Sequence, residues 1–182
     1  MIEGFATPEG TTNFAGKSLA HKENFRKIHD LTLSNVGIGT YLGNTDLETD
    51  TQQKNAIKES ILRGVNVIDT AINYRAQKSE RTVGKAVSEL IDEGKINRSE
   101  IFISTKNGYV TNDADIQEDF MAYIMREFGK TGVVKEGDIS AQYNCMTIPF
   151  LEDQLARSQK NLGLDCIDLM YLHNAVEGQQ QM

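Results

Sequence analysis

Four side chains of different chemical types stand at, or just beyond, the ends of short apolar runs. Asp69, Lys106 and His173 each close such a run, and Tyr74 follows Asp69 by five residues. Taken singly, each has an ordinary structural role, as a turn acid, a solvated lysine, a core histidine or a loop aromatic. Together they indicate an active site, because the sites of βα folds collect at the carboxyl ends of the strands.

These four groups suit the reduction of a carbonyl group. An ammonium beside a phenol favours the phenolate electrostatically, and a carboxylate paired with that ammonium fixes its position. Tyr74 can then protonate the alkoxide that develops from a carbonyl, which is general acid catalysis, and His173 can orient the carbonyl oxygen by a hydrogen bond. None of the four supplies a hydride, so such a reduction requires a nicotinamide cofactor.

The order of elements along the chain predicts a parallel α/β sheet. Apolar runs of strand length alternate with amphipathic helices, as in βαβ units. Right-handed crossovers leave an open doubly wound sheet or a (β/α)8 barrel. A barrel needs eight units in about 250 residues, whereas this chain supplies four in 182. After a strand pair at 24–28 and 31–33, strands are predicted at 36–39, 65–69, 101–105 and 167–172, and helices at 48–63, 79–93 and 148–161.

Three glycines near the first predicted strand, Gly37, Gly39 and Gly43, are spaced like those of a dinucleotide-binding loop with one extra residue. That loop requires a helix that opens at once, so that its first N–H groups meet the phosphates. Here residues 44–47 intervene before the helix. A turn after the strand, or a close approach of the backbone to a flat ligand, is therefore the better interpretation.

Three sequence blocks around the polar residues resemble the catalytic blocks of the aldo-keto reductases. They are Asp-Thr-Ala-x-x-Tyr at 69–74, Ser-Thr-Lys at 104–106 and Leu-His-Asn at 172–174. A longer block that overlaps the first, Gly-Val-Asn-Val-Ile-Asp-Thr-Ala at 64–71, is the most specific match to the family. The resemblance extends over about residues 25–175, with the blocks in the family's order.

The resemblance implies an aldo-keto reductase barrel of the (β/α)8 TIM type, represented here by roughly its first four βα units. It implies that Tyr74 is the proton donor, Lys106 its activating neighbour and Asp69 the partner of Lys106, with His173 orienting the substrate. The family's substrates are aldehydes and ketones, which are reduced by hydride from NADPH. A small carbonyl compound is accordingly the expected partner.

The resemblance also implies a binding region for NADP(H) near the first strand. The block Val-Gly-Ile-Gly-Thr at 36–40 is similar to the family's first barrel strand. Gly39, Thr40 and Tyr41 would lie beneath the nicotinamide ribose and pyrophosphate, with Asp69 near the ribose. In this family the 2′-phosphate and the adenine are held by later elements, so the preference for NADP rests on the resemblance alone.

One feature departs from the family pattern. Lys106 and His173 are separated by 67 residues (173 − 106), more than is usual in the family. The excess defines an insertion at about 107–146, with a predicted helix at 119–128. Because the insertion follows the carboxyl end of a strand, it forms either part of a substrate wall or a helix on the outside of the barrel.

The expected domain organisation has two parts. Residues 1–22 are rich in Gly, Thr and Ser and are expected to form a flexible N-terminal arm. Residues 23–182 are expected to form the partial barrel, with residues 177–182 leading into its next helix.

Composition argues against several classes of partner. A net charge of -7 disfavours nucleic acid and anionic membranes. Two cysteines without CxxC spacing are expected to be free thiols, and the absence of a signal-like or membrane-spanning run makes the cytoplasm the expected location. No metal is expected, because the three histidines form no His-x-His pair. The sequence does not indicate an oligomeric state.

Three functions are consistent with these observations. The first is an oxidoreductase, of which this chain is an N-terminal part that is inactive alone. The second is a non-catalytic barrel that binds the cofactor as a regulatory or sensor subunit. The third is an inactive truncated protein. Because a sensor has less need of all four polar groups, the intact set favours the first.

Overall fold

The fold is that of a computed structural model, which describes residues 1–176. The expected helix after residue 177 lies outside the described residues. The strands are β1 (Phe25–Ile28), β2 (Leu31–Ser34), β3 (Ile38–Gly39), β4 (Val67–Asp69), β5 (Phe102–Asn107) and β6 (Leu169–Leu172), and the helices are α1 (Pro8–Lys17), α2 (Leu47–Leu62), α3 (Lys78–Asp92), α4 (Phe120–Ile124) and α5 (Ile148–Leu162).

A parallel sheet in the order β3-β4-β5-β6 organises the chain. Its register places Gly39 beside Asp69, and Asp69 beside Ser104. Successive strands are thus neighbours in space, and α2, α3 and α5 supply the crossovers between them. The carboxyl ends of all four strands lie at one edge, as the alternation of strands and helices predicted.

The main core lies between the sheet and its helices. Ile68 and Ile103 are completely buried in the sheet, and the helices add apolar side chains at spacings of three and four residues. Burial of such a side chain contributes about 1.5–3 kcal/mol relative to leaving it exposed. The buried helical members of this cluster are Ile57, Ile61, Val83, Ala86, Val87, Leu90 and Leu162.

The N-terminal segment differs from the expected flexible arm, because residues 8–17 form α1. The side chain of Thr7 accepts a hydrogen bond from the amide of Gly10 at 3.0 Å and caps the helix. Phe14, which is only 3% exposed, joins the main core. A composition rich in Gly, Thr and Ser suggested disorder, but one apolar anchor and one cap order the helix.

A hairpin of β1 and β2 precedes the sheet, close to the predicted strand pair. Its turn residues His29 and Asp30 both have positive φ, as a two-residue hairpin turn of type I′ requires. The side chain of Asn66, just before β4, accepts from the amide of Ser34 at 2.8 Å and donates to the carbonyl of Thr32 at 3.0 Å. The hairpin is therefore fastened to the amino end of the sheet, away from the polar strand ends.

The connection from β5 to α5 (residues 108–147, here the β5–α5 segment) has an apolar cluster of its own. Ile124 and Phe128 are buried in it, as the predicted helical face required. The α-helix ends at Ile124, however, and a wider π-type turn continues to Gly129. Within residues 1–176, no helix is both long enough and apolar enough to cross a membrane.

Candidate active site

The structure brings together the four polar residues that the sequence singled out. Asp69 ends β4, Lys106 is the second-last residue of β5, and His173 follows β6. Tyr74 lies in the loop between β4 and α3. Because the strands are parallel and in register, their carboxyl ends meet at one edge of the sheet, and this loop crosses above them.

Lys106 forms an ion pair with Asp69. Its Nζ lies 2.6 Å from Oδ2 of Asp69 and donates also to the carbonyl oxygen of Thr70 at 2.8 Å. The hydroxyl of Ser104 donates to the second carboxylate oxygen, Oδ1, at 2.8 Å. The side chain of Lys106 is 15% exposed and that of Asp69 40%. Two hydrogen bonds thus fix the ammonium of a side chain that is not fully buried.

The ring of Tyr74 lies close to this ammonium and to the imidazole of His173. Nζ of Lys106 lies 4.6 Å from the centroid of the Tyr74 ring. The rings of Tyr74 and His173 are 5.7 Å apart in an edge-to-face arrangement. The phenol is therefore adjacent both to a fixed positive charge and to a hydrogen-bonding ring.

His173 is held in the neutral form by its surroundings. Burial lowers the pKa of this imidazole below its ordinary 6.5, and the neighbouring charge of Lys106 lowers it further. The carboxylate of Asp69 acts in the opposite sense but does not prevail. At neutral pH the ring is thus uncharged, with one nitrogen able to donate and one to accept a hydrogen bond.

A cleft of about 320 Å³ opens above these groups. Three residues of its lining were not singled out from the sequence, namely Asn73, Tyr109 and Asn174. Asn73 precedes Tyr74, Asn174 follows His173, and Tyr109 comes two residues after β5. Their position near the strand ends is the feature of the sequence that could have pointed to them. The lining consists of Tyr41, Asn73, Tyr74, Tyr109, His173 and Asn174.

The residues expected to meet a cofactor differ in what they present. At Gly39 no atom beyond the residue itself and its two chain neighbours lies within 4 Å of the position that a Cβ would occupy, so the surface there is open. Tyr41 is 66% exposed, and its ring lies 5.0 Å from that of Tyr74. Thr40, in contrast, is buried, with its hydroxyl 2.8 Å from that of Thr70. Gly39 and Tyr41 fit a flat ligand beside the cleft, and Thr40 supports them from within.

The turn after Tyr74 has an unusual backbone. Residues 75–77 are consecutive and not glycine, yet all three have positive φ, at 51°, 49° and 75°. Such a conformation costs about 1 kcal/mol or more for each residue, so other contacts must hold it. The buried guanidinium of Arg75 supplies them by donating to the backbone carbonyl of Asn44 and to the side chains of Asp50 and Gln53.

Among residues 1–176, no group of three or more histidine, cysteine or acidic side chains is arranged to hold a metal ion. Within that range Cys145 and Cys166 are free thiols.

Comparison with known proteins identifies the family. The family model described as the aldo/keto reductase family matches residues 35–179. The chain belongs to this family. Curated relatives include the NADH-specific methylglyoxal reductase of Escherichia coli (strain K12), which is 28% identical over 151 residues. The aldo-keto reductase AKR2E4 of Bombyx mori is 28% identical over 144 residues.

Solved structures of aldo-keto reductases share the fold. The holo form of AKR11C1 from Bacillus halodurans aligns with a TM-score of 0.56 and 23% identity, covering 85% of this chain and 43% of that one. AKR2E5, solved with NADPH, aligns with a TM-score of 0.51 and 25% identity, covering 81% and 35%. The parallel sheet with its helices is therefore part of a (β/α)8 barrel, as expected.

The chain is shorter than the relatives that it matches. The match to the Escherichia coli reductase covers 79% of this chain but only 39% of that reductase. The match to the Bombyx mori enzyme covers 78% of this chain and 34% of that enzyme. The chain thus spans less than half the length of these relatives.

Proposed function

We propose that this chain carries the catalytic half of an NAD(P)H-dependent reductase of small aldehydes or ketones. The observation that carries the proposal is the placement of Lys106 Nζ. It lies 2.6 Å from the carboxylate of Asp69 and 4.6 Å from the centre of the Tyr74 ring. An ammonium that is held by a carboxylate and lies beside a phenol at a cleft suits the delivery of a proton to an oxygen on which negative charge develops.

In this proposal Tyr74 is the proton donor. Its hydroxyl gives its proton to the carbonyl oxygen, and Lys106 stabilises the phenolate that remains. Asp69 keeps the ammonium in place through the proton-transfer step. The neutral ring of His173 donates a hydrogen bond to the same carbonyl oxygen and orients the substrate in the cleft. The carbonyl thereby becomes an alcohol once carbon receives a hydride and oxygen a proton.

A nicotinamide cofactor supplies the hydride when it is bound. The open surface at Gly39 and the exposed ring of Tyr41 fit its ribose and pyrophosphate, and Asp69 lies at the same edge. Thr40 would support this loop through its hydrogen bond to Thr70. The NADPH bound in AKR2E5 supports NADP(H), whereas the name of the Escherichia coli relative specifies NADH, so both are candidates.

We further propose that turnover needs the remaining barrel units. The chain spans less than half of its relatives, and barrels commonly hold phosphate groups near their last strands. The 182-residue chain alone is therefore expected to be inactive, and the product of the complete reading frame that contains it is expected to be active.

The test is oxidation of NADPH and of NADH with a panel of aldehydes and ketones. The 182-residue chain and the product of the complete reading frame are assayed side by side. Turnover in the longer protein alone supports the proposal. Cofactor binding without turnover of any carbonyl would favour a regulatory or sensor barrel, and neither binding nor turnover an inactive truncated protein.

A substitution at Tyr74 tests the proposed acid. Tyr74→Phe removes the hydroxyl but keeps the ring, so kcat should fall by about 10²-fold or more while the affinity for cofactor is retained. Tyr143→Phe, which alters an exposed tyrosine outside the cleft, is the matched control. Loss of cofactor binding together with turnover in Tyr74→Phe would count against the assigned role.

A further inference from the structure

The β5–α5 segment is the part of the chain to which the proposed reaction gives no role. Its two ends are joined by backbone hydrogen bonds, which close it into a loop with a defined base. The amide of Val110 donates to the carbonyl of Tyr143 at 2.8 Å, and the amide of Cys145 to the carbonyl of Gly108 at 2.7 Å. We call residues 108–110 and 143–145 the base of the segment.

Contacts with His173 converge at this base. The backbone amide of His173 donates to the carbonyl of Asn107, immediately before the base, at 2.8 Å. Its carbonyl accepts from Nδ2 of the fully buried Asn144 at 3.0 Å. The last residue of β5 and one residue of the base thus fix the backbone of His173 by hydrogen bonds.

The imidazole ring is held by packing. Its Nδ1 is buried and has no hydrogen-bond partner among the residues that the structure describes. The Tyr109 ring lies 4.9 Å from it at an interplanar angle of 89°, and the Tyr74 ring lies 5.7 Å from it. Two aromatic edge-to-face contacts, one of them from the base, therefore set the rotation of the ring.

We infer that the β5–α5 segment is a positioning element for His173, acting through Asn144 on the backbone and through Tyr109 on the ring. The inference rests on the proposed function, since the orientation of His173 affects turnover only if this ring meets the carbonyl. This role differs from the two that the sequence suggested for the insertion, a substrate wall and a helix on the outside of the barrel.

The protonation of His173 offers a readout that is independent of turnover. The ring faces the charged groups of Asp69 and Lys106 and the phenols of Tyr74 and Tyr109. Burial is the main cause of its lowered pKa. A ring released from the base should gain contact with water, and its pKa should then rise towards the ordinary value.

The experiment is an NMR titration of the imidazole resonances in the 182-residue chain, which has three histidines. The exposed His21 and His29 serve as internal references. Asn144→Ala and Tyr109→Ala should each raise the pKa of His173. In the product of the complete reading frame they should lower kcat about tenfold to a hundredfold while the affinity for cofactor is unchanged.

Two controls separate positioning from a general loss of structure. Asp119→Ala removes the carboxylate that caps α4 by accepting a hydrogen bond from the amide of Ala122 at 3.0 Å. It loosens the same segment without removing a contact with His173. Tyr109→Phe keeps the ring and its packing on His173, and loses the hydroxyl with the hydrogen bond that it accepts from Nδ2 of Asn174 at 3.3 Å. Both should leave the titration of His173 as in the unaltered chain.

The titration decides the inference even if no carbonyl is turned over, an outcome that would remove only the proposed function. Unchanged titration of His173 in both Asn144→Ala and Tyr109→Ala would overturn the inference. An equal effect of Asp119→Ala would overturn it as well, because general loosening would then suffice. If Asn144→Ala fails to fold, the comparison of Tyr109→Ala with Tyr109→Phe decides.

Discussion

His173 lies beside two opposite charges, and its protonation depends on both. Lys106 disfavours the imidazolium and Asp69 favours it, while burial disfavours it most. The ammonium of this ion pair, 2.6 Å from the carboxylate, therefore acts on the imidazole as well as on the Tyr74 ring. Burial and Lys106 together keep the imidazole neutral, in the form that can donate a hydrogen bond without bringing a charge.

Removing each member of the pair should move the pKa of His173 in opposite directions. Lys106→Met removes the ammonium that lowers it, so the pKa should rise, although burial keeps it below 6.5. Asp69→Asn removes the carboxylate that raises it, so the pKa should fall further. NMR titration of the ring measures both changes. Shifts of the same sign in the two variants would show that the charges do not act on this ring as argued.

The residues of the site were predictable to different degrees. Asp69, Lys106 and His173 were predictable because strand ends in a parallel sheet converge. The burial of the Thr40 hydroxyl was not predictable, because its hydrogen bond with Thr70 joins loops that follow two different strands. Tyr109 was not singled out either, because its contact with His173 joins residues 64 positions apart (173 − 109).

A buried carboxyl group connects three elements below the site. Glu80 on α3 accepts hydrogen bonds from Thr105 on β5 at 2.7 Å and from Asn161 on α5 at 3.0 Å. Its burial raises the pKa of the carboxyl group above 4.5, against the effect of these donors. The elements are thus joined around a group that resists ionisation.

This pKa shift makes a prediction for stability. Since the folded-state pKa of Glu80 is raised, the folded state binds the proton more tightly, and its contribution declines as pH rises from about 4.5 through the folded pKa. Glu80→Gln, which stays neutral, should therefore increase the free energy of unfolding at pH 8 relative to the unaltered chain, and less so at pH 4.5. Urea unfolding at both pH values measures this. A difference that does not depend on pH would contradict it.

The elements themselves were largely predictable, and the failures have physical causes. Helices α2, α3 and α5 fall within one residue of their predicted bounds, because their apolar spacing and glycine stops are local signals. The structure has a helix where a flexible N-terminal arm was expected, because α1 depends on the packing of Phe14 in a core formed by distant residues. The π-type turn after Ile124 has no sequence signal that periodicity detects.

The sheet as a whole has two open edges within the described residues. There β3 and β6 each pair with one neighbouring strand, whereas every strand of a closed barrel has two. Apolar side chains are exposed near these edges, with Leu172 on β6 at 56% and Val36, two residues before β3, at 67%. Open strand edges pair readily with other chains, so the isolated chain is expected to self-associate.

A charge at one edge should weaken this association. Leu172→Lys places an ammonium on β6, and edge lysines oppose strand pairing. Leu19→Lys makes the same change of charge at an exposed leucine outside the sheet and serves as the control. Sedimentation velocity over a range of concentrations should show less association for Leu172→Lys only. A monomeric unaltered chain at every concentration would remove the premise.

The left-handed turn at 75–77 has a consequence for heat resistance. Its backbone is held against its own preference by Arg75, whose partners lie on α2 and on the loop before it. Small losses of packing there should release the turn before the sheet melts. If the proposed function holds, turnover should therefore vanish at a lower temperature than the circular dichroism signal. Coincident loss of both would argue against this view. The placement of Tyr74, the proposed proton donor, thus depends on contacts that its neighbour Arg75 makes with α2.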